Sequence, residues 1–216
     1  MWSWSFTWSI LPQILEAMKT TILATIVGFA FALVGGLVLA LGRRAKNRAI
    51  SLGTAGIVEF VRSTPLLVQL YFLFYGFPAI GISLSPFSAG VLGLGIHYSA
   101  YLSEVYRSGI DAVPRGQWEA SKALNFSKGT MWRRIILPQA IRPVIPVLGN
   151  YLIVMFKETP VLSAITLVEM LLTAKMIGAE SFRYLEAFTL VGILFLILSY
   201  GSSLLIRRLE LKWSRS

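Results

Sequence analysis

The sequence predicts an all-α protein that resides in a lipid bilayer and crosses it five times. Mean hydropathy is +0.70 and only 14% of residues are charged, too apolar for a water-soluble chain of 216 residues. Five apolar segments recur, at about residues 21–41, 57–77, 87–106, 143–159 and 187–206. Basic clusters alternate with basic-poor loops between them, as in a multi-pass topology.

Residues 1–19 carry Trp2, Trp4, Phe6 and Trp8 at alternating positions, then apolar residues interleaved with Gln13, Glu16 and Lys19. Aromatic rings settle at headgroup level, so this segment reads as a short interfacial helix anchored in the outer leaflet. Met1 to Leu11 has no basic residue and no small-residue cleavage site follows, so the first span reads as retained. Residues 21–41 hold no charge and should meet lipid on much of their surface.

The second segment is interrupted by Glu59, Arg62 and Pro65, and the fourth is bracketed by Pro143, Pro146, Lys157, Glu158 and Pro160. Charges and prolines at membrane depth are tolerated against protein or water, so both spans should face the interior. Gly90, Gly93 and Gly95 in the third segment, like Gly35 and Gly36 in the first, suit close helix packing.

The net charge is +10. Arg43, Arg44, Lys46 and Arg48 follow the first span, a further group occupies residues 107–142, and Arg207, Arg208, Lys212 and Arg215 close the chain. This distribution marks cytoplasmic loops rather than a nucleic-acid surface. It puts the N-terminus outside and the C-terminus in the cytoplasm. With no cysteine, disulfides and thiolate metal sites are excluded.

The one long polar segment, residues 107–142, is where a partner is expected. Pro114 suits the start of a helix, Glu119 to Leu124 favour its continuation, and Asn125 suits the left-handed residue just past its end. Ser127 can cap a second helix that Ile135-Ile136-Leu137-Pro138 closes. Gln117 lies on the first helix, and small side chains at Ala120, Ser121 and Ala123 would allow close approach by another protein.

Glu119-Ala120-Ser121, Asn125 and Ile135-x-Leu137-Pro138 resemble the EAA loop of ABC-importer permeases, with the spacing matched and Ser121 and Asn125 as mild departures. Residues 60–69 and 100–117 resemble the polar amino acid branch of that family, of the histidine, glutamine and arginine type. Residues 157–163 are similar to a Lys-Asp-Thr-Ser-Leu stretch of the branch, with Glu158 and Pro160 departing from it. The opening through Ala40 is similar to ectoine and hydroxyectoine permeases.

The resemblance implies a type I importer arrangement in the bacterial inner membrane. It implies an ATP-binding cassette ATPase under the loop, a second permease subunit, homologous or identical, and an extracytoplasmic solute-binding protein. ATP and Mg would be held by that ATPase, and no cofactor by this chain, which contains no Gly-x-x-x-x-Gly-Lys-[Ser/Thr] phosphate cradle. The coupling residues it implies are Gln117, Glu119, Ala120, Ser121, Ala123, Asn125, Ile135, Leu137 and Pro138.

Tyr98, Tyr101, Lys157, Glu158 and Thr159 are polar groups at mid-membrane positions and are candidates for solute contact. Lys157 and Glu158 together could serve a zwitterion. Neighbours on a helix point about 100° apart, so one of them can instead face a second subunit. Glu104, Arg107 and Asp111 share a helix face as an ion-pair cluster, and Arg62 either pairs internally, with Glu59, or faces the cavity. His97 reads as an interhelical hydrogen-bond partner rather than a proton relay. A proton-coupled secondary carrier is the competing function; a membrane enzyme lacks any convincing catalytic constellation.

Overall fold

The computed structural model describes residues 2–214, with side chains to residue 208. It is helical, with no strand among the described residues. Helix α1 spans Trp4–Arg43, α2 Arg48–Arg62, α3 Leu66–Tyr71, α4 Pro86–Asp111 and α5 Arg115–Ala123. After α6, Lys128–Met131, a π turn at Trp132–Ile136 leads into α7, Leu137–Glu158, which runs on through a 3-10 turn at Thr159–Ile165. The outer pair is α8, Met170–Ser181, and α9, Tyr184–Ser214.

Three helical stretches are long and apolar enough to cross a membrane: Trp4–Arg43, Lys128–Ile165 and Tyr184–Arg208. The pair Arg48–Arg62 and Leu66–Ile80 qualifies only jointly and is bent by 101°. The expected second span is therefore two sharply bent helices and not one straight helix. Pro65 has no N–H and disfavours helix before it, so α2 ends at Arg62. Gln69 closes the break: its amide donates to the Val61 carbonyl at 2.8 Å, the Thr64 carbonyl at 3.2 Å and the Thr64 hydroxyl at 2.6 Å.

Helix α4, the expected third span, falls short on hydropathy because Gly, Ser, Tyr, His and charged residues replace leucines. It is nonetheless the centre of the protein, with Leu94, Ala100, Leu102 and Ser103 fully buried. The expected second span turns one face inward, with Val58, Val61, Leu66, Leu70 and Leu73 buried, while Ile57, Phe60, Val68 and Phe72 are exposed. On α1 the residues Ala24, Gly28, Ala32, Gly36 and Ala40 recur every fourth position and are all buried. They form the flat face that α4 packs on. A Cβ on Gly36 would lie 2.8 Å from the Leu102 Cβ and 3.1 Å from the Ser99 carbonyl oxygen, so only glycine permits this approach. The opposite face, with Leu23, Ile26, Val34 and Val38, is exposed, as expected of a lipid-facing helix.

Residues 4–19 do not form a separate interfacial helix. They continue without a break into α1, whose 40 residues reach about 60 Å, twice the hydrocarbon thickness. Pro12 does not interrupt the run. The start of α1 is tied to α9: the Ser3 N–H donates to Glu186 at 3.1 Å, and the Arg183 guanidinium lies 5.0 Å over the Phe6 ring.

Candidate solute path and coupling loop

Midway along α4, about 18 Å from either end, the Tyr98 hydroxyl donates to the Glu158 carboxylate at 2.7 Å. Tyr98 is almost fully buried. Its ring meets those of Tyr101 and Tyr151, all three centroids 6.2 Å apart, and His97 lies tilted beside Tyr101 at 5.1 Å. The Arg62 guanidinium lies 5.5 Å over the Tyr101 ring. A carboxylate, three phenols and a guanidinium thus converge about midway along α4. Tyr151 escaped the sequence reading, although seven residues before Glu158 on a helix place it on the same face.

The other two candidates on this stretch point elsewhere. Thr159 is fully buried and its hydroxyl donates to the Phe156 carbonyl at 2.7 Å, so it is spent on the helix end. Lys157 is exposed and lines a groove between α7 and α9, away from Glu158. The adjacent charges have different surroundings, Glu158 bonded to Tyr98 and Lys157 in the groove. His97 has its interhelical partner, with Nδ1 3.2 Å from the Gln69 side-chain oxygen.

The ion-pair cluster is larger than its sequence spacing implied. Glu104 contacts Arg43, Arg107 at 2.7 Å and Arg62 at 3.7 Å, while Asp111 contacts Arg44 at 2.6 Å and Arg107 at 3.2 Å. Arg62 also reaches Glu59 at 4.0 Å. It both pairs internally and covers Tyr101. The cluster fastens the ends of α1 and α2 to α4, and Arg43 and Arg44 act as its fasteners as well as marking topology. The Arg107 guanidinium donates to one Glu104 carboxylate oxygen through Nε at 3.0 Å and Nη2 at 2.7 Å.

In the polar segment, α5 ends in the expected way. Asn125 has φ 55°, its N–H bonds to Lys122 and the Phe126 N–H reaches back to Ser121, a Schellman motif with Asn in the place of Gly. Ser127 caps α6 by accepting from the Thr130 N–H at 3.2 Å. The second helix does not close at Pro138. The Leu137 N–H bonds to the Trp132 carbonyl five residues back, and this π register admits the proline and lets the chain run into α7.

Gln117, Glu119, Ala120, Ala123, Asn125, Leu137 and Pro138 are exposed, and Ile135 is half-buried. Ser121 faces inward instead, its hydroxyl donating to the Gln117 carbonyl at 2.6 Å. Trp118 and Trp132 meet edge to face at 5.3 Å above a small core of Ile110, Val113, Met131, Ile136 and Ala140. The loop is a packed unit joined to α4 and α7.

Residues 32–215 match the family described as the binding-protein-dependent transport system inner membrane component. The chain belongs to this family. It is a multi-pass membrane permease subunit, not an enzyme, and ATP hydrolysis falls to a separate subunit of such systems. Among its relatives, the probable amino-acid ABC transporter permease y4tG of Sinorhizobium fredii is 48% identical over 94% of this chain and 88% of its own length. The L-cystine transport system permease TcyB of Bacillus subtilis is 36% identical over 94% and 88%. A chain from the crystal structure of an amino acid ABC transporter with histidines superimposes with TM-score 0.94, 31% identity and coverage of 98% and 99%. A chain of the MetNI methionine ABC transporter gives 0.73 at 19% identity over 98% and 99%, and shares the type I permease fold.

Proposed function

We propose that this permease forms part of the translocation path for a polar amino acid, or a related small zwitterion such as ectoine, in an ATP-driven, binding-protein-dependent importer. The observation that carries this reading is the Tyr98–Glu158 pair midway along α4, beside Tyr101, Tyr151 and Arg62. A carboxylate and phenol faces suit an ammonium group, and the guanidinium suits a carboxylate. The named relatives transport compounds of this class: one is a cystine permease and another, from Agrobacterium fabrum, a nopaline permease.

In this reading five helices cross the membrane, α4 being the fifth because protein surrounds it, with the N-terminus outside and the C-terminus in the cytoplasm. The exposed coupling face of α5, led by Glu119 and Ala120, receives the ATPase, which binds ATP and Mg. A solute-binding protein delivers solute to the outer face, and a second permease subunit completes the path. The permease is the two-state element that these partners bias.

The test is uptake in proteoliposomes holding this chain with its co-expressed ATPase and binding protein. Vanadate and ATP depletion should stop uptake while an uncoupler leaves it running. Uptake stopped first by the uncoupler, with no ATPase present, would instead establish a proton-coupled carrier.

A further inference from the structure

Helix α2 carries an apolar stripe that this chain does not cover. Ile50, Gly53, Ile57 and Phe60 follow one another at steps of three and four residues, so they share a face, and all four are exposed. A Cβ on Gly53 would meet nothing within 4 Å. Glycine weakens a helix relative to alanine, so the notch it leaves costs stability without serving the chain's own packing. The stripe leads into a corner. At the bend of 101° between α2 and α3, Phe60, Thr64, Val68, Phe72 and Ile96 line a groove of about 300 Å3. The polar side chains on its walls are spent within the chain. The Thr64 hydroxyl donates to the Phe60 carbonyl at 3.1 Å, and Gln69 donates to Val61 while its oxygen meets His97.

The stripe slants from headgroup level into hydrocarbon. Residues 20–42 of α1 carry no charge and span about 35 Å, enough for a hydrocarbon core, so Arg43 and the turn after it lie at the headgroups. There α2 begins: the Ser51 hydroxyl donates to the Arg43 carbonyl at 2.7 Å, and Gly42 faces Thr54. Further on, Val58 and Val61 pack with Leu39 and Ala100. From Ser51 to Val61 is about 15 Å of helix, but from Arg43 back to Leu39 is only about 6 Å of α1, so α2 rises at a shallow angle. From Ile50 to Phe60 is again about 15 Å, the half-thickness of a hydrocarbon core and so the reach of one acyl chain. Ile96 and Tyr98 point about 200° apart on α4, which puts the corner behind that helix, away from the Tyr98–Glu158 pair.

Lys46 and Arg48 stand at the headgroup end of the stripe. Both are exposed, and among the described residues their side chains make no ion pair or hydrogen bond. Asp111 at the end of α4 is already engaged by Arg44 at 2.6 Å and Arg107 at 3.2 Å. We propose that α2 seats one anionic phospholipid, its phosphate against Lys46 and Arg48 and one acyl chain following Ile50, Gly53, Ile57 and Phe60 into the corner. Two cations without partners select a headgroup of net negative charge over a zwitterionic one. Because α2 ends at Arg62, whose guanidinium lies over the Tyr101 ring, the lipid steadies the helix that reaches that ring.

The full transporter, expressed with its ATPase and purified in mild detergent, would be titrated with dioleoyl phosphatidylglycerol or dioleoyl phosphatidylcholine and the bound lipid counted by native mass spectrometry. Phosphatidylglycerol should be held the more tightly. Lys46→Gln with Arg48→Gln, both at exposed positions, should weaken it by about thirtyfold, about fivefold for each cation, and leave phosphatidylcholine unchanged. Gly53→Leu fills the notch, favours the helix and meets nothing in the chain, and should weaken both lipids several-fold. Equal affinity of the wild type for the two lipids, or equal retention of phosphatidylglycerol by wild type and the double variant, would overturn the proposal. Unaltered retention in Gly53→Leu would overturn it as well. The chain has no cysteine, so Ile57→Cys can carry a single benzophenone maleimide in native membranes. Irradiation should give a phospholipid adduct, whereas an adduct with a polypeptide would put a protein on the stripe and sink the lipid assignment.

Discussion

Removing a single oxygen, by Tyr98→Phe, isolates the bond at the centre of the candidate path. The ring is almost fully buried against Tyr101, Tyr151 and His97, and phenylalanine keeps that packing. What is lost is the 2.7 Å bond to Glu158. A hydrogen bond to a charged group contributes about 1.5–3 kcal/mol, which corresponds to roughly ten- to a hundredfold in affinity. If that carboxylate is oriented by Tyr98 to receive the ammonium of a solute, the KM for uptake should rise by this factor. Glu158→Gln should raise it similarly. The double variant should be no worse than the poorer single one, because both remove the same contact. The assay is initial-rate uptake of radiolabelled amino acid in proteoliposomes with binding protein at saturation, with melting in detergent as a control for folding. An unchanged KM and rate in Tyr98→Phe, in a protein that melts normally, would refute the assignment of Glu158 to the path.

Four further outcomes follow from other parts of the molecule. Gly36→Ala places a methyl 2.8 Å from the Leu102 Cβ and against the α4 backbone, so melting in detergent should fall by the equivalent of about 1–3 kcal/mol. Glu119→Lys or Ala120→Asp, both at exposed positions of α5, should abolish recovery of the ATPase on a tagged column while leaving the permease's own melting unchanged. Glu104→Gln takes the shared anion from Arg43, Arg62 and Arg107; the partners are partly exposed, so the expected loss is about 1 kcal/mol and should shrink in high salt. Burial pushes the Glu169 carboxyl up, opposed by the Leu171 and Leu172 N–H groups and by Lys175, so its folded pKa exceeds the unfolded one. Its contribution is then fully present at low pH and lost as pH rises through the folded pKa. Melting of wild type should decline relative to Glu169→Gln as pH is raised from the ordinary carboxylate range.

What the sequence made legible is what local chemistry decides. Asn125 and Ser127 could be assigned because a helix end and a helix cap are properties of a few adjacent residues, and both have the expected geometry. The small-residue packing of α1 was legible at Gly36 because a glycine in an apolar helix has few other uses. Contacts between distant segments were not legible. Nothing in the clusters Arg43–Arg44 and Glu104–Asp111 says that they meet, because topology and ion pairing call for the same residues. The π turn before Pro138 was also invisible, since Ile-Ile-Leu-Pro reads equally as a helix end or as a register shift. Lys157 and Glu158 could be told apart only by the 100° step between them, which sets a divergence but not which neighbour each side chain finds.

The arrangement also suggests how the loop and the path are joined. The core beneath Trp118 and Trp132 draws Ile110 from the end of α4 and Ala140 from the start of α7. Nearby, a Cβ on Gly109 would lie 2.8 Å from the Ala140 carbonyl oxygen, so the two helices approach backbone to backbone there. Those same helices carry Tyr98 about 18 Å beyond Ile110 and Glu158 about 27 Å beyond Ala140. We propose that a load applied to α5 moves α4 and α7 together near the loop and pivots α4 against α7 about the Gly109 contact. Such a pivot would change the separation of Tyr98 and Glu158, which sit on the same two helices. If this is how the loop acts, Gly109→Val, which wedges the pivot, should leave ATPase association intact and uncouple ATP hydrolysis from uptake. A Gly109→Val transporter with normal uptake per ATP would show that the path opens at some other joint.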